Sequence, residues 1–318
     1  MIHWSMGWGE FPHSLVVNDV PAVVVDLDDN VYSFVRGSDL VVVMNRDGMF
    51  LRTIGEGLFV RPHGLSIDVD GNIVCVDDEG HQVYILSPIG EVVRHITAPD
   101  RRIETGYIPG FPDSVVRSAD PFCFPTHALH EGGWLTVSDG YGNSRIHVFD
   151  SDDHLHSSWG NPGSDFGEFV IPHGLYIAPE SGHLAVCDRE NERIQWFDKE
   201  GKFVLQWLGL NCPNNMASLP NGNFVVAELG RRIESTDAGP RINRSALPPR
   251  ITIRDFSGNL LLESSPPFSG GDDHFFSPHG IAANSIGEIF VGEVRTSYPQ
   301  GLAPSGSPML HKITLLDG

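Results

Sequence analysis

Six times along the chain a proline follows a loop and opens a short apolar run. The runs are PAVVVDL from Pro21, PHGLSID from Pro62, PTHALH from Pro125, PHGLYIA from Pro172, PNNMASL from Pro213 and PHGIAAN from Pro278. The spacings are 41, 63, 47, 41 and 65 residues. Insertions at roughly 98–123 and 230–249 lengthen the two long ones; without them the unit is about 40 residues, the blade length of a propeller. Residues 62–97 show the grammar of one unit: HGLSID, the turn VDGN, IVCVDD, the turn EGH, QVYILS, the turn PIGE, then VVRHI. Residues 172–207 repeat it as HGLYIA, HLAVCD, RIQWFD and FVLQWL. These runs are short, rich in β-branched and aromatic residues and bounded by Gly, Asp and Asn. No stretch sustains a helical period.

One such sheet cannot bury both of its faces alone, so neighbours must stack around an axis. The expectation is an all-β, six-bladed β-propeller of four-stranded antiparallel blades, a single domain over residues 1–318. The last unit, ending in HKITLLDG, supplies only a third strand. The N-terminal IHWSMGWGEF resembles the fourth-strand region SSWGNPGSDFGEF. Residues near 2–10 are therefore expected to pair beside 310–316, closing the ring and removing its free edges.

Charge narrows the partners. Lys+Arg 21 against Asp+Glu 41 leaves a net charge of −20, which argues against nucleic acid and anionic membranes. There is no run of about 18 apolar residues to span a bilayer, and the N-terminus lacks a basic region followed by an apolar one. A monomer in the cytoplasm is expected. Cys75, Cys123, Cys187 and Cys212 are scattered without a CxxC, so neither a disulfide framework nor a cysteine zinc knuckle is indicated.

The residue after each of the six prolines is Ala22, His63, Thr126, His173, Asn214 and His279. Histidine thus falls on alternate blades. The innermost strand opens at one mouth of the channel, so three imidazoles would converge with threefold geometry. That suits zinc with three histidines and an open fourth position for water or substrate. A copied repeat consensus also yields recurring PHG, but three of six places alternate by chance in only about one case in ten for such an array. His127, His130, His147, His154 and His156 read as strand or surface residues.

On these residues the chain resembles NHL-repeat propellers, and specifically the peptidyl-α-hydroxyglycine α-amidating lyases. The strings that carry the resemblance are FVRGSDLV at 34, RPHGLSIDVDGN at 61, SDGYGNSRIHVF at 138, IPHGLYIAP at 171, CDRENERIQWF at 187 and SPHGIAAN at 277. The resemblance implies a catalytic zinc on His63, His173 and His279, a catalytic tyrosine at Tyr141 and active-site arginines at Arg36 and Arg189. It also implies a calcium ion on the backbone carbonyls of Val23 and Leu65 and on an aspartate whose position is Gly280 here, which leaves that set without its carboxylate. The family's methionine is Ser277, implying a roomier and more polar pocket. The cysteine that secreted members place after the tyrosine is Gly142, consistent with a reducing compartment.

The chemistry implied is loss of an amide from a carbinolamide, R–CO–NH–CH(OH)–COOH, with glyoxylate as the second product. A zinc ion would act as Lewis acid on the hydroxyl. A phenol, ordinarily titrating near about 10, becomes a base when cations stand beside it. The same proton can then reach the leaving nitrogen, and an arginine can clamp the carboxylate bidentately. Against this, a turn tyrosine often only packs, Arg189 can pair with Glu190 or Glu192, and Asp77, Asp139 and Asp188 read as turn caps. Arg36 reads as lying in a comparable turn of blade one. The substrate expected is a small molecule or peptide-like. Two other functions fit the fold: a metal-dependent lactone or ester hydrolase in the same channel, and a non-catalytic NHL scaffold binding a protein.

Overall fold

A computed structural model describes residues 2–111, 114–231, 246–264, 275–297 and 308–315. They form six four-stranded antiparallel sheets arranged as blades. The first strands of the blades are Val17–Val25, Pro62–Ile67, His127–Glu131, Pro172–Ile177, Pro213–Ser218 and Pro278–Ala283. Each touches the first strand of the blades on either side, and the last touches the first, so they line a closed ring around the axis.

The strands read as continuous apolar runs because both faces of each blade are covered. Successive side chains point to opposite faces. Val41 and Val43 pack with Leu65, Ile73 and Cys75 of blade two, while Val42 and Met44 pack with Phe290 and Leu310 of blade six. In blade two, Val74 and Val76 turn the other way, onto Leu135 and Val137 of blade three. Apolar layers of this kind fill all six gaps between blades. The fourth strands, such as Leu260–Ser264, are largely exposed at the rim.

The ring closes as its sequence implied. Ile2–Met6 pairs antiparallel with Leu310–Leu315, Ile2 opposite Leu315 and Met6 opposite His311, and becomes the fourth strand of blade six. The first insertion carries a short helix, Arg102–Thr105, ended by Gly106 at φ 82°. Most of the second, 232–245, lies outside the described residues. No helix among the described residues is long and apolar enough to cross a membrane.

One device recurs around the ring. The second strand of five blades ends in a buried carboxylate that accepts backbone N–H groups from the loop leading into the first strand. Asp77 takes Val60 and Arg61, Asp139 takes Cys123, Asp188 takes Val170, Glu228 takes Asn211 and Glu293 takes Phe276. Asp77, Asp139 and Asp188, read as turn caps, accept from this preceding loop, and Asp77 also accepts from Gly80 in the turn that follows its strand. Blade one inverts the device. Arg36 stands one residue before the end of its second strand, and Asp19, opposite it across a bulge, takes the N–H groups of Thr296 and Ser297. Arg36 thus lies in the strand Val31–Gly37 rather than in a turn. The bulges at Asp19 and Ala22 shift the register that the repeat alone would assign.

Candidate metal centre and its surroundings

His63, His173 and His279 meet at the axis. Their ring centroids form a nearly equilateral triangle with sides of 4.9, 5.0 and 4.7 Å. Candidate ligand atoms from all three lie within 4.8 Å of one another, and all three residues are buried.

Each imidazole is held by the next blade. His63 Nδ1 lies 2.7 Å from the carbonyl of Thr126, His173 Nδ1 2.8 Å from that of Asn214, and His279 Nδ1 2.6 Å from that of Pro21. A carbonyl only accepts, so each Nδ1 carries the proton and each Nε2 keeps a lone pair for the axis. The glycine after each histidine permits this reach. A Cβ on Gly64 would lie 2.5 Å from the Thr126 oxygen, and one on Gly174 2.6 Å from the Asn214 oxygen. The PHG triplet therefore joins a ligand to the close approach that orients it.

Burial is the main cause holding all three histidines well below their ordinary range, reinforced at His63 by the other two imidazoles, at His173 by His279 and at His279 by Arg36. They are neutral at pH 7, the form that binds a metal. The buried Nε2 of His173 has no hydrogen-bond partner. Three neutral imidazoles with fixed tautomers and an orphaned nitrogen fit a zinc ion. The calcium set does not fit. Gly280 offers no carboxylate, and a Cβ there would lie 2.6 Å from Ala22 Cα and 2.8 Å from Val23 N.

Tyr141 lies in the turn between the strands Trp134–Asp139 and Arg145–Phe149. Its hydroxyl is 2.8 Å from His63 Nε2, to which it donates. Arg189, in a single 3-10 turn of blade four, sits over the Tyr141 ring at 5.4 Å. It also donates to Glu190 at 3.1 Å, and Glu190 in turn pairs with Arg231 at 3.2 Å. Arg36 donates from Nε to the Pro62 carbonyl at 2.8 Å and from Nη1 to Ser297 at 2.6 Å, while its buried Nη2 has no partner. The six side chains expected from sequence thus surround one mouth. Val23 and Leu65 lie nearby in first strands, and Ser277 is fully buried with an unpartnered hydroxyl.

Three features were not anticipated. The carbonyls behind the imidazoles leave no trace in sequence, since every residue has one. Arg61, immediately before Pro62, forms an ion pair with fully buried Asp78 at 3.1 Å. Tyr107, from the first insertion, packs on the turn beside Tyr141: a Cβ on Gly142 would meet the Cys123 sulfur at 2.4 Å and the Tyr107 ring at 3.0 Å. All four cysteines are free and buried.

A model of the NHL repeat matches residues 169–197. The chain is a six-bladed NHL-repeat propeller similar to the peptidyl-α-hydroxyglycine α-amidating lyases. It is 31% identical over 281 residues to peptidyl-alpha-hydroxyglycine alpha-amidating lyase 1 of Drosophila melanogaster, covering 82% of this chain and 48% of that protein. It is 30% identical over 264 residues to the peptidyl-glycine alpha-amidating monooxygenase of Mus musculus, covering 81% and 25% respectively. The propeller therefore spans about a quarter of the length of that monooxygenase. A solved streptogramin B lyase superimposes with a TM-score of 0.59 over 99% of this chain and 98% of its own, at 12% identity, a likeness of fold alone.

Proposed function

We propose that this propeller is a zinc-dependent lyase that cleaves the C–N bond of an α-hydroxyglycine derivative, giving a primary amide and glyoxylate. The observation that carries the reading is the Tyr141 hydroxyl, 2.8 Å from His63 Nε2, at the point on which three neutral imidazoles converge. A phenol beside a metal position and under a guanidinium is placed to move a proton without being a ligand. The names of the Drosophila relatives support the same reaction class.

Zinc on His63, His173 and His279 would supply Lewis acidity toward the substrate hydroxyl. Tyr141, once its own phenolic proton has been lost to solvent, takes the hydroxyl proton as a phenolate. The O–H electron pair becomes the second C=O bond of glyoxylate, and the C–N pair leaves with nitrogen. That nitrogen receives the proton from Tyr141, so R–CO–NH–CH(OH)–COO⁻ yields R–CO–NH2 and OHC–COO⁻ with atoms and charge conserved. Arg36 and Arg189 hold the carboxylate; the unpartnered, buried Nη2 of Arg36 lacks such an acceptor. The reading calls for a small or peptide-like substrate and a monomeric enzyme, with neither nucleic acid nor membrane as partner.

Metal analysis of the purified protein, combined with glyoxylate release from α-hydroxyhippurate, tests this. One zinc per chain and stoichiometric glyoxylate and benzamide are expected. A metal-free protein would overturn the zinc site, and a zinc-loaded protein inert toward α-hydroxyglycine derivatives would overturn the lyase.

A further inference from the structure

The turn that follows the second strand is built alike in five blades. One residue of it donates its backbone N–H to the carbonyl of the residue before the blade's opening proline. Asp78 donates to Arg61 at 3.3 Å, Tyr141 to Phe124 at 3.2 Å, Arg189 to Ile171 at 3.1 Å, Leu229 to Cys212 at 3.0 Å and Val294 to Ser277 at 3.2 Å. Tyr141 and Arg189 therefore hold the same place in the repeat, one blade apart. Two residues further on, the blades differ. Gly80, Arg231 and Thr296 stand there in blades two, five and six, whereas blades three and four have Asn143 and Asn191.

The two asparagines make the same bridge. Asn143 Nδ2 donates to Asp139 Oδ2 at 2.7 Å and to the Ala119 carbonyl at 3.1 Å. Asn191 Nδ2 donates to Asp188 Oδ2 at 2.9 Å and to the Gly163 carbonyl at 2.8 Å. Each amide thus joins the buried carboxylate that ends the second strand to the loop running into the first. Asn143, fully buried, also accepts the Ala119 N–H at 2.7 Å through Oδ1, and Ser118 donates to its carbonyl at 3.3 Å. A turn at this place closes without such a bridge: in blade two Asp77 simply takes the Gly80 N–H at 3.0 Å. The extra tie occurs in the two blades whose turns carry Tyr141 and Arg189. Those side chains meet, the Tyr141 hydroxyl 2.8 Å from His63 Nε2 and the Arg189 guanidinium 5.4 Å from the Tyr141 ring. A group that moves a proton must be held within about 0.5 Å of its working place by the residues around it.

We propose that Asn143 and Asn191 are a matched pair of positioning residues: Asn143 fixes the Tyr141 hydroxyl against His63, and Asn191 fixes the Arg189 guanidinium over the Tyr141 ring. The inference rests on the lyase reading for the roles of those two side chains, proton transfer at Tyr141 and carboxylate binding at Arg189. The asparagines then act on different constants. Kinetics with α-hydroxyhippurate test the division. Asn143→Ala should lower kcat by up to about 10²-fold, the cost of a misplacement of about 1 Å, with KM unchanged. Asn191→Ala should raise KM by about tenfold, the worth of one hydrogen bond to a charged group, with little effect on kcat. In a Tyr141→Phe background, Asn143→Ala should cost nothing further. Zinc content checks the fold of every variant, and serine replaces alanine where the alanine variant does not fold. The same effect of both substitutions on both constants, or an undiminished Asn143→Ala loss in Tyr141→Phe, overturns the proposal.

A readout without turnover separates this from the lyase reading. In protein labelled with 3-fluorotyrosine, the fluorine resonance of Tyr141 is identified by its loss in Tyr141→Phe. Asn143→Ala should move it as the hydroxyl leaves His63, and Asn191→Ala as the guanidinium leaves the ring. The resonances of Tyr32 and Tyr84, in blades one and two, should stay in place. If this pattern holds while no α-hydroxyglycine is turned over, the positioning pair stands and the lyase falls. A Tyr141 resonance indifferent to both substitutions, or one that moves only together with those of Tyr32 and Tyr84, overturns the pair.

Discussion

Blades two, four and six put an imidazole on the axis; blades three, five and one put a backbone carbonyl behind it. The two sets share a fold, a starting proline and a similar inner strand, yet they divide one task. His63, His173 and His279 supply the nitrogen, and Thr126, Asn214 and Pro21 accept the other ring proton. A ligand needs a particular side chain, whereas a carbonyl needs none. The supporting residue is thus free to be Thr126, Asn214 or, in blade one, Pro21 itself. Alternation is the smallest arrangement in which every imidazole has a supporting neighbour on the same side.

The sharpest way to break this comparison is to make the same kind of truncation in each set. His173→Ala removes one of three ligands from a buried site and should abolish stoichiometric metal. Asn214→Ala leaves the supporting carbonyl in place, so full metal content is expected by elemental analysis. Equal loss in both would mean that the supporting blade acts through its side chain.

Next in size is Tyr141→Phe, in a supporting blade but aimed at the axis. It keeps the ring under Arg189 and removes only the hydroxyl that meets His63. Turnover should fall by about 10²–10⁴-fold, the usual contribution of a general acid–base, with metal content intact. Wild-type glyoxylate release would show that the ring merely packs.

What sequence reveals here follows the repeat. Histidine at one repeat position in alternate blades is visible because the other blades provide the contrast, and Tyr141 and Arg189 lie in equivalent turns. Arg61 precedes only one of the three PHG triplets, the others being IPHG and SPHG, so no repeat position marks it. Tyr107 lies in an insertion and has no counterpart to be read against. Arg36 was legible as a residue but misplaced in its element, because bulges in blade one shift the register. The calcium set shows the same limit: Gly280 was visible as a missing carboxylate, whereas its close approach to Ala22 and Val23 is a contact between blades.

Acid should expose the buried imidazoles in the metal-free protein. His127 is pushed from its ordinary value near 6.5 down to about 4 by burial. The unfolded chain therefore takes the proton first. The stability contributed by the neutral ring is complete above pH 6.5 and is lost as pH falls toward about 4, and the axial histidines shift in the same direction. The loss is on the order of a few kcal/mol. Urea unfolding of chelator-treated protein should show it, with a shallower pH slope in His127→Asn. Identical slopes would mean that His127 titrates normally in the fold.

A smaller effect should follow from Gly174→Ala. The added methyl would meet the Asn214 oxygen at 2.6 Å, so the supporting strand must retreat and the His173 ring loses its anchor. Disturbing such an outer partner typically costs about 10–100-fold in metal affinity. Competition against a zinc chelator measures it; unchanged affinity would show that the Nδ1 contact is dispensable.

Thr126→Val is the mildest substitution and the cleanest contrast with His63. Thr126 occupies, in blade three, the position that His63 occupies in blade two, and its carbonyl supports the His63 ring. Its hydroxyl does something else: it donates to the Pro172 carbonyl at 2.8 Å and lies 2.9 Å from the Ser138 hydroxyl, tying blade three to blade four. Valine keeps the shape and the main chain while leaving those buried acceptors without that donor, at a cost of about 1–3 kcal/mol. Ser138 also donates to the His173 carbonyl at 2.6 Å, which keeps part of the tie and puts the expected loss at the low end. The variant should therefore melt a few degrees lower and bind zinc with wild-type stoichiometry. A drop in zinc content at unchanged stability would mean that the hydroxyl, and not the carbonyl, holds the imidazole in place.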